Sequence, residues 1–160
     1  GERQINETLE AVRQSGIQAI VLWPNSDAGS EDIARGIRKW RERGLASKMH
    51  FFKNLPIATY IKLMKFAACL IGNSSSGIRE GAYIGTPVVN IGNRQSSRER
   101  GSNVIDVPPI EADISAAITI QVNHGSYPME DIYGDGSSGE RIAKTLASLG
   151  DIAVQKRITY

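Results

Sequence analysis

Hydrophobic positions along this chain alternate between two spacings. Over residues 2–15, Ile5, Leu9 and Val12 fall on one helical face and Gly16 follows as a glycine C-cap, which predicts an amphipathic helix. IQAIVLW (17–23) is a nearly continuous apolar run stopped by Pro24, which predicts a strand. Ser30 is placed to cap a second helix, with Glu31 and Asp32 in its first turn and Gly44 at its far end. MHFF (49–52) predicts a short strand, and PIATYIKLMKFA (56–67) a helix with proline in its first turn. ACLIG (68–72) is a third strand and SSGIREGAYIG (75–85) the next helix. PVVNIG (87–92) and NVIDV (103–107) complete the strands, and helices follow at 111–122 and 137–149.

Strands that alternate with helices, and are apolar on both faces, predict a parallel sheet with helices on each side. The fold class is therefore α/β, a three-layer Rossmann-like domain over residues 1–160. In such sheets ligands bind beyond the carboxyl ends of the strands. That rule singles out loops 24–30, 53–56, 72–76 and 92–102.

Composition narrows the classes. At 160 residues, 41% hydrophobic and 22% charged, the chain suits one globular domain. Its apolar runs are far shorter than the roughly 20 residues that span a bilayer. The polar N-terminus shows no secretory signal, so a cytoplasmic protein is expected, with no membrane partner. A net charge of +2 does not argue for nucleic acid. The single cysteine, Cys69, excludes a disulfide framework and a multi-cysteine zinc site, and reads as a small buried hydrophobe. His50 and His124 lack neighbours at metal spacing, so neither a metal nor a cofactor is expected.

The chemistry concentrates in loop 72–76, GNSSS. A helix start offers backbone N–H groups without internal partners and a partial positive charge, which together receive an anion. Ser74, Ser75 and Ser76 add hydroxyls, and Gly72 and Gly77 allow close approach. The plainer alternative is one capping serine and two solvated ones. Glu80 favours the ligand, because position 77 is glycine and the side-chain half of a capping box is missing. A carboxylate beside a phosphate site accepts hydrogen bonds from ribose hydroxyls. Ser74, Ser75 and Glu80 together describe a nucleoside diphosphate. Loop 92–102 adds Arg94, Arg98 and Arg100 between glycines that leave it mobile; these bind phosphate or are simply solvated. Loop 24–30 offers Asn25 and Asp27, where Asx turns also form without a ligand. A serine-hydrolase elbow needs G-x-S-x-G and a Walker loop needs G-K-[ST]; neither occurs.

PNSDAGS, the block from Ile71 to Ile105 and YGDG (133–136) closely resemble the second half of UDP-N-acetylglucosamine 2-epimerases, in particular the hydrolysing kind of sialic-acid-type pathways. The resemblance spans essentially all 160 residues. It implies the C-terminal domain of a two-domain GT-B enzyme whose N-terminal domain is absent from this chain. It also implies conversion of UDP-N-acetylglucosamine to N-acetylmannosamine and UDP, with this domain holding the UDP. Ser74 and Ser75 then match the diphosphate serines and Glu80 the ribose glutamate. Arg94 matches a cleft arginine that could stabilise the leaving group, Asn25 an asparagine at the nucleotide, and Leu55 the backbone position at uracil. The acid and base residues belong mostly to the missing domain, so this piece alone is expected to bind UDP without turnover. The full-length enzyme is expected to be a homo-oligomer.

The run RGIRKWRERG (35–44) reads first as a solvated helix face with Ile33, Ile37 and Trp40 turned inward. Within the family, Arg35 and Arg38 match an allosteric site for a nucleotide-linked sialic acid, although Glu31 stands where a lysine is expected. Three alternatives remain open: a non-hydrolysing epimerase, a GT-B glycosyltransferase domain and a nucleotide-sensing module. Non-hydrolysing sequences more often read S-G-G-x-Q-E where this chain has Ser75-Ser76-Gly77-Ile78-Arg79-Glu80.

Overall fold

A computed structural model describes residues 1–24 and 29–150. The order is α1 (Glu2–Ser15), β1 (Ala19–Leu22), α2 (Ser30–Glu42), β2 (Met49–Phe52), α3 (Ile57–Phe66) and β3 (Leu70–Gly72). Then come α4 (Ser75–Ile78), α5 (Glu80–Ile84), β4 (Val88–Ile91), β5 (Val104–Val107), α6 (Glu111–His124) and α7 (Ser138–Ser148). Every strand pair is parallel. β1 pairs with β2, and β4 lies between β3 and β5 in a second hydrogen-bonded group.

The expected α/β architecture follows from β4, whose four residues Val-Val-Asn-Ile are all buried. Val89 and Ile91 join Leu9, Val12, Ile37, Trp40, Ile114 and Ile118, so α1, α2 and α6 cover one face. Val88 points the other way, against Gly77 of α4 and Gly81 of α5. Trp40 is buried as expected, and its indole N–H donates to Asn6 Oδ1 at 2.8 Å, which satisfies the one polar atom of the ring.

The amino-terminal end of the β3–β5 group is tied by amides. Gln121 of α6 is fully buried; its amide donates to the carbonyls of Val88 (2.7 Å) and Asn103 (2.8 Å) and accepts from the Tyr127 hydroxyl (2.7 Å). Asn103 donates to Thr86 O at 2.8 Å, and the Thr86 hydroxyl to Met64 O at 2.9 Å.

Three expectations are corrected. Gly29, at φ 82°, caps α2 and Ser30 is its first residue, because the left-handed turn that glycine permits starts the helix one position after it. The helix expected over 75–85 is two pieces broken at Arg79 (ψ −69°). Gly77 and Gly81 weaken helical continuity there while letting both pieces sit directly on Leu70 and Val88. Finally, β1 and β2 are not covered on both faces: Ile20, Leu22 and Phe52 stay exposed, whereas Ala19, Val21 and Phe51 pack on the core. Periodicity reports apolar faces but not what covers them.

Candidate functional site

β3 ends in Gly72 at φ 147°, a backbone that side chains rarely adopt, and this turns the chain so that Ser74 caps α4. The Ser74 hydroxyl accepts from Ser76 N–H at 3.3 Å and lies 2.9 Å from Ser76 Oγ, which in turn lies 2.6 Å from the Tyr60 hydroxyl of α3. A relay of three hydroxyls thus fixes the turn. The Ser75 hydroxyl and the exposed Glu80 carboxylate form no hydrogen bond or ion pair among the described residues.

Loop 92–102 is pinned, which corrects the expectation of a mobile segment. Gln95 is buried and its amide donates to Asn73 O at 2.9 Å, so the loops after β3 and β4 are tied together; its own carbonyl oxygen has no partner among the described residues. Arg100 is committed to the protein, donating to Asp106 Oδ2 at 2.6 Å and to Arg98 O at 2.6 Å. Asn90 donates to the other Asp106 oxygen at 2.5 Å. Partial burial pushes the Asp106 carboxyl up, but the hydrogen bonds from Arg100 and Asn90 and the arginine charge outweigh it and hold the group below the usual carboxylate range. Arg98 remains exposed on the loop.

Outside the carboxyl ends of β4 and β5 lies an open hollow of about 570 Å³. Asn73, Arg94, Asp106, Gln4, Pro108 and Pro109 are among its lining residues. It occupies the place where parallel sheets bind ligands and falls within the usual size range of small-molecule sites.

The model of the family described as UDP-N-acetylglucosamine 2-epimerase matches residues 1–147. The chain belongs to that family. The UDP-N-acetylglucosamine 2-epimerase of Neisseria meningitidis serogroup B is 30% identical over 154 residues, covering 93% of this chain and 40% of that protein. The hydrolysing UDP-N,N'-diacetylbacillosamine 2-epimerase of Legionella pneumophila is 32% identical over 146 residues, 91% of this chain and 38% of its own. A hydrolysing GDP/UDP-N,N'-diacetylbacillosamine 2-epimerase of Campylobacter jejuni is 51% identical over 59 residues, 37% of this chain and 15% of its own. The chain thus spans about 40% of the length of the first two relatives.

In this epimerase-family chain the structure brings Ser74, Ser75 and Glu80 onto one turn and its continuation, while Arg94 and Asn73 line the hollow. Ser74, Ser75 and Glu80 lie outside the lining of that hollow. The Leu55 N–H is already engaged by Asn54 Oδ1 at 2.8 Å. Asn25 lies outside the described residues. Arg35 and Arg38 are exposed on α2, Arg35 within 3.5 Å of Asp32, as on a solvated face.

Sequence reasoning missed a strap over residues 126–136. Tyr127 N–H donates to Gly85 O at 2.9 Å and Glu130 N–H to Ala82 O at 3.0 Å, locking the strap to α5. The Glu130 carboxylate accepts from the Ser102 N–H at 2.8 Å and also from its hydroxyl. Tyr133 donates to Glu99 O at 2.8 Å while the Arg79 guanidinium sits 5.8 Å above its ring. Tyr133, from the YGDG stretch, therefore joins the turn before Glu80 to the arginine loop; only that stretch's match to the family hinted at it. Among the described residues, no cluster of His, Cys, Asp and Glu could hold a metal ion, and no helix is long and apolar enough to cross a membrane.

Proposed function

We propose that this chain is the UDP-binding domain of a hydrolysing UDP-N-acetylglucosamine 2-epimerase, which converts UDP-N-acetylglucosamine to N-acetylmannosamine and UDP. The observation that carries this reading is the Gly72–Ser76 turn at the carboxyl end of β3, with the Ser75 hydroxyl and Glu80 beside it and without a side-chain partner among the described residues. In this reading UDP leaves by elimination across C1 and C2 of the sugar, and water then adds to the resulting glycal with inverted configuration at C2. The domain's task is to stabilise charge developing on the departing diphosphate. In this reading the serine hydroxyls and the N–H groups of the turn meet the diphosphate, with Arg94 as a cationic neighbour, and preorganised donors of this kind offset charge as it develops. Glu80 accepts the ribose hydroxyls and the Leu55 carbonyl faces the base. Acid and base groups come from the N-terminal domain of the same enzyme. The hydrolysing type is supported by the Legionella and Campylobacter relatives, both of them named as hydrolysing enzymes. The same names favour one second reading, a diacetamido rather than a monoacetamido sugar as substrate.

The test is a titration of the chain with UDP followed by amide NMR, with ADP as control. Shifts at Ser74, Ser75 and Glu80 are expected with UDP only, and are expected to disappear in Glu80→Ala. Equal response to ADP, or none to UDP at millimolar concentration, refutes the reading. Product analysis of the full-length enzyme separates the types: free N-acetylmannosamine marks hydrolysis, and UDP-N-acetylmannosamine marks simple epimerisation.

A further inference from the structure

We propose that Tyr133 is a positioning residue for Glu80, seating the start of α5 so that the carboxylate keeps its place beside the Ser74–Ser76 turn. This rests on the UDP reading and deepens it by naming a residue outside the nucleotide contacts that governs the ribose end of the site.

α5 has only five residues, too few for a helix to hold its own orientation. The break at Arg79 means that α4 does not carry it as one rigid rod, so Glu80 stands where the surroundings of α5 put it. The carboxyl half of α5 is fastened through backbone. The Tyr127 and Glu130 N–H groups of the strap donate to Gly85 O and Ala82 O, and Ala82 itself is buried. At the amino end the strap's contact is the Tyr133 ring, with the Arg79 guanidinium 5.8 Å from its centre. Tyr133 is held in turn. The Gly134 N–H donates to Asp131 O at 2.7 Å, closing a turn with Tyr133 at a central position, and the Tyr133 hydroxyl donates to Glu99 O at 2.8 Å.

The strap does not need this side chain for its own attachment. The two backbone bonds to α5, and the Glu130 carboxylate on the Ser102 N–H and hydroxyl, secure it without Tyr133. What the ring adds is a seat for Arg79. Arg79 adjoins Glu80, whose carboxylate has no ion pair among the described residues. With no aromatic face to hold it, the guanidinium is free to turn to that carboxylate and occupy the acceptor that ribose hydroxyls need. The ring thus steadies the amino end of α5 and keeps a neighbouring cation off its carboxylate.

Calorimetric titration of the chain with UDP and with 2′,3′-dideoxy-UDP tests this, and the ratio of the two affinities is the readout. A hydroxyl-accepting Glu80 gives the wild-type chain a preference for UDP of about tenfold or more. Tyr133→Ala should lower that preference by about two- to fivefold, the scale of an exposed cation–π contact, through weaker UDP binding with affinity for the dideoxy analogue unchanged. Tyr133→Phe keeps the ring and should keep the preference. In a Glu80→Ala background, Tyr133→Ala should alter neither affinity. Tyr133→Leu retains apolar bulk without the ring; it carries the same expected loss and decides the matter if Tyr133→Ala fails to fold by circular dichroism. An unchanged preference, equal losses for both ligands, or a loss that persists without Glu80 overturns this inference alone. A wild-type chain that does not bind UDP, or binds it no better than the dideoxy analogue, overturns the ribose role of Glu80 in the UDP reading and this inference with it.

Discussion

Replacing Gly77 by alanine sets two forces against each other. Glycine in a helix is about 1 kcal/mol less favourable than alanine, so propensity alone makes Gly77→Ala stabilising. Packing says the opposite. The new Cβ would lie 2.8 Å from Leu70 Cδ2, and 3.0 and 3.4 Å from the two methyl carbons of Val88. Carbon atoms prefer about 3.5–4.0 Å. Leu70 can rotate away, but Val88 is 2% exposed and stiff at χ1, so α4 itself has to lift from the sheet. Overpacking of this kind costs about 1–3 kcal/mol. The net loss is therefore on the order of 1 kcal/mol, or about 2–4 °C of midpoint for a domain of this size. Lifting α4 also moves the Ser74–Ser76 turn, and losing one charge-assisted hydrogen bond to phosphate weakens UDP binding about tenfold. Thermal unfolding and UDP titration measure both quantities. Gly139→Ala is the internal control, because its Cβ meets nothing within 4 Å and propensity should act there alone. If Gly77→Ala raises the midpoint as Gly139→Ala does, and UDP affinity stays unchanged, the close-packing argument is wrong.

Gln121→Leu keeps the volume but deprives the Val88 carbonyl and the Tyr127 hydroxyl of their amide partner, while Asn103 O retains the Val88 N–H at 2.8 Å. A destabilisation of about 2–4 kcal/mol is expected in chemical denaturation. Burial pushes the Cys69 thiol up to about 12, so thiol reagents at pH 8 should leave it unmodified until the chain is unfolded. The same shift makes stability full below the ordinary cysteine range near 9 and lost as pH rises toward about 12. Cys69→Ala should reduce that alkaline slope by up to about 1.4 kcal/mol per pH unit. The chain alone should yield no N-acetylmannosamine from UDP-N-acetylglucosamine by coupled assay; measurable turnover would place the acid and base within these 160 residues.

The legible parts of the fold were those governed by local chemistry. Gly16 sits at φ 68° and ends α1 where the glycine signal put it, and MHFF is β2 residue for residue. The turn at residues 72–76 was equally legible as a turn, because a strand running into glycine and serines is a local pattern, and Ser74 caps α4 there. What could not be read depends on distant partners. Nothing near Gln95 in the sequence announces its bond to Asn73 O, 22 residues away. Arg100 reads from the sequence as a phosphate ligand or a solvated side chain, and neither reading shows Asp106, which holds it. Asp106 carries no signal within NVIDV, and only the tertiary structure places it in the hollow. The break at Arg79 was hidden because local propensity reports helix on both sides of it.

The paired strands β4 and β5 place Asn90 directly opposite Asp106, and Gln121 bridges the Val88 and Asn103 carbonyls at their other end. Four-residue strands rich in valine and isoleucine are prone to slide, and a two-residue slip would keep every side chain on its proper face. Hydrophobicity alone would not penalise that slip. Here it would break a polar latch at each end of the pair at once, leaving buried amides without partners. The two latches therefore fix the phase of the strands, and with it the alignment of the loops that leave them, during folding as well as in the finished molecule.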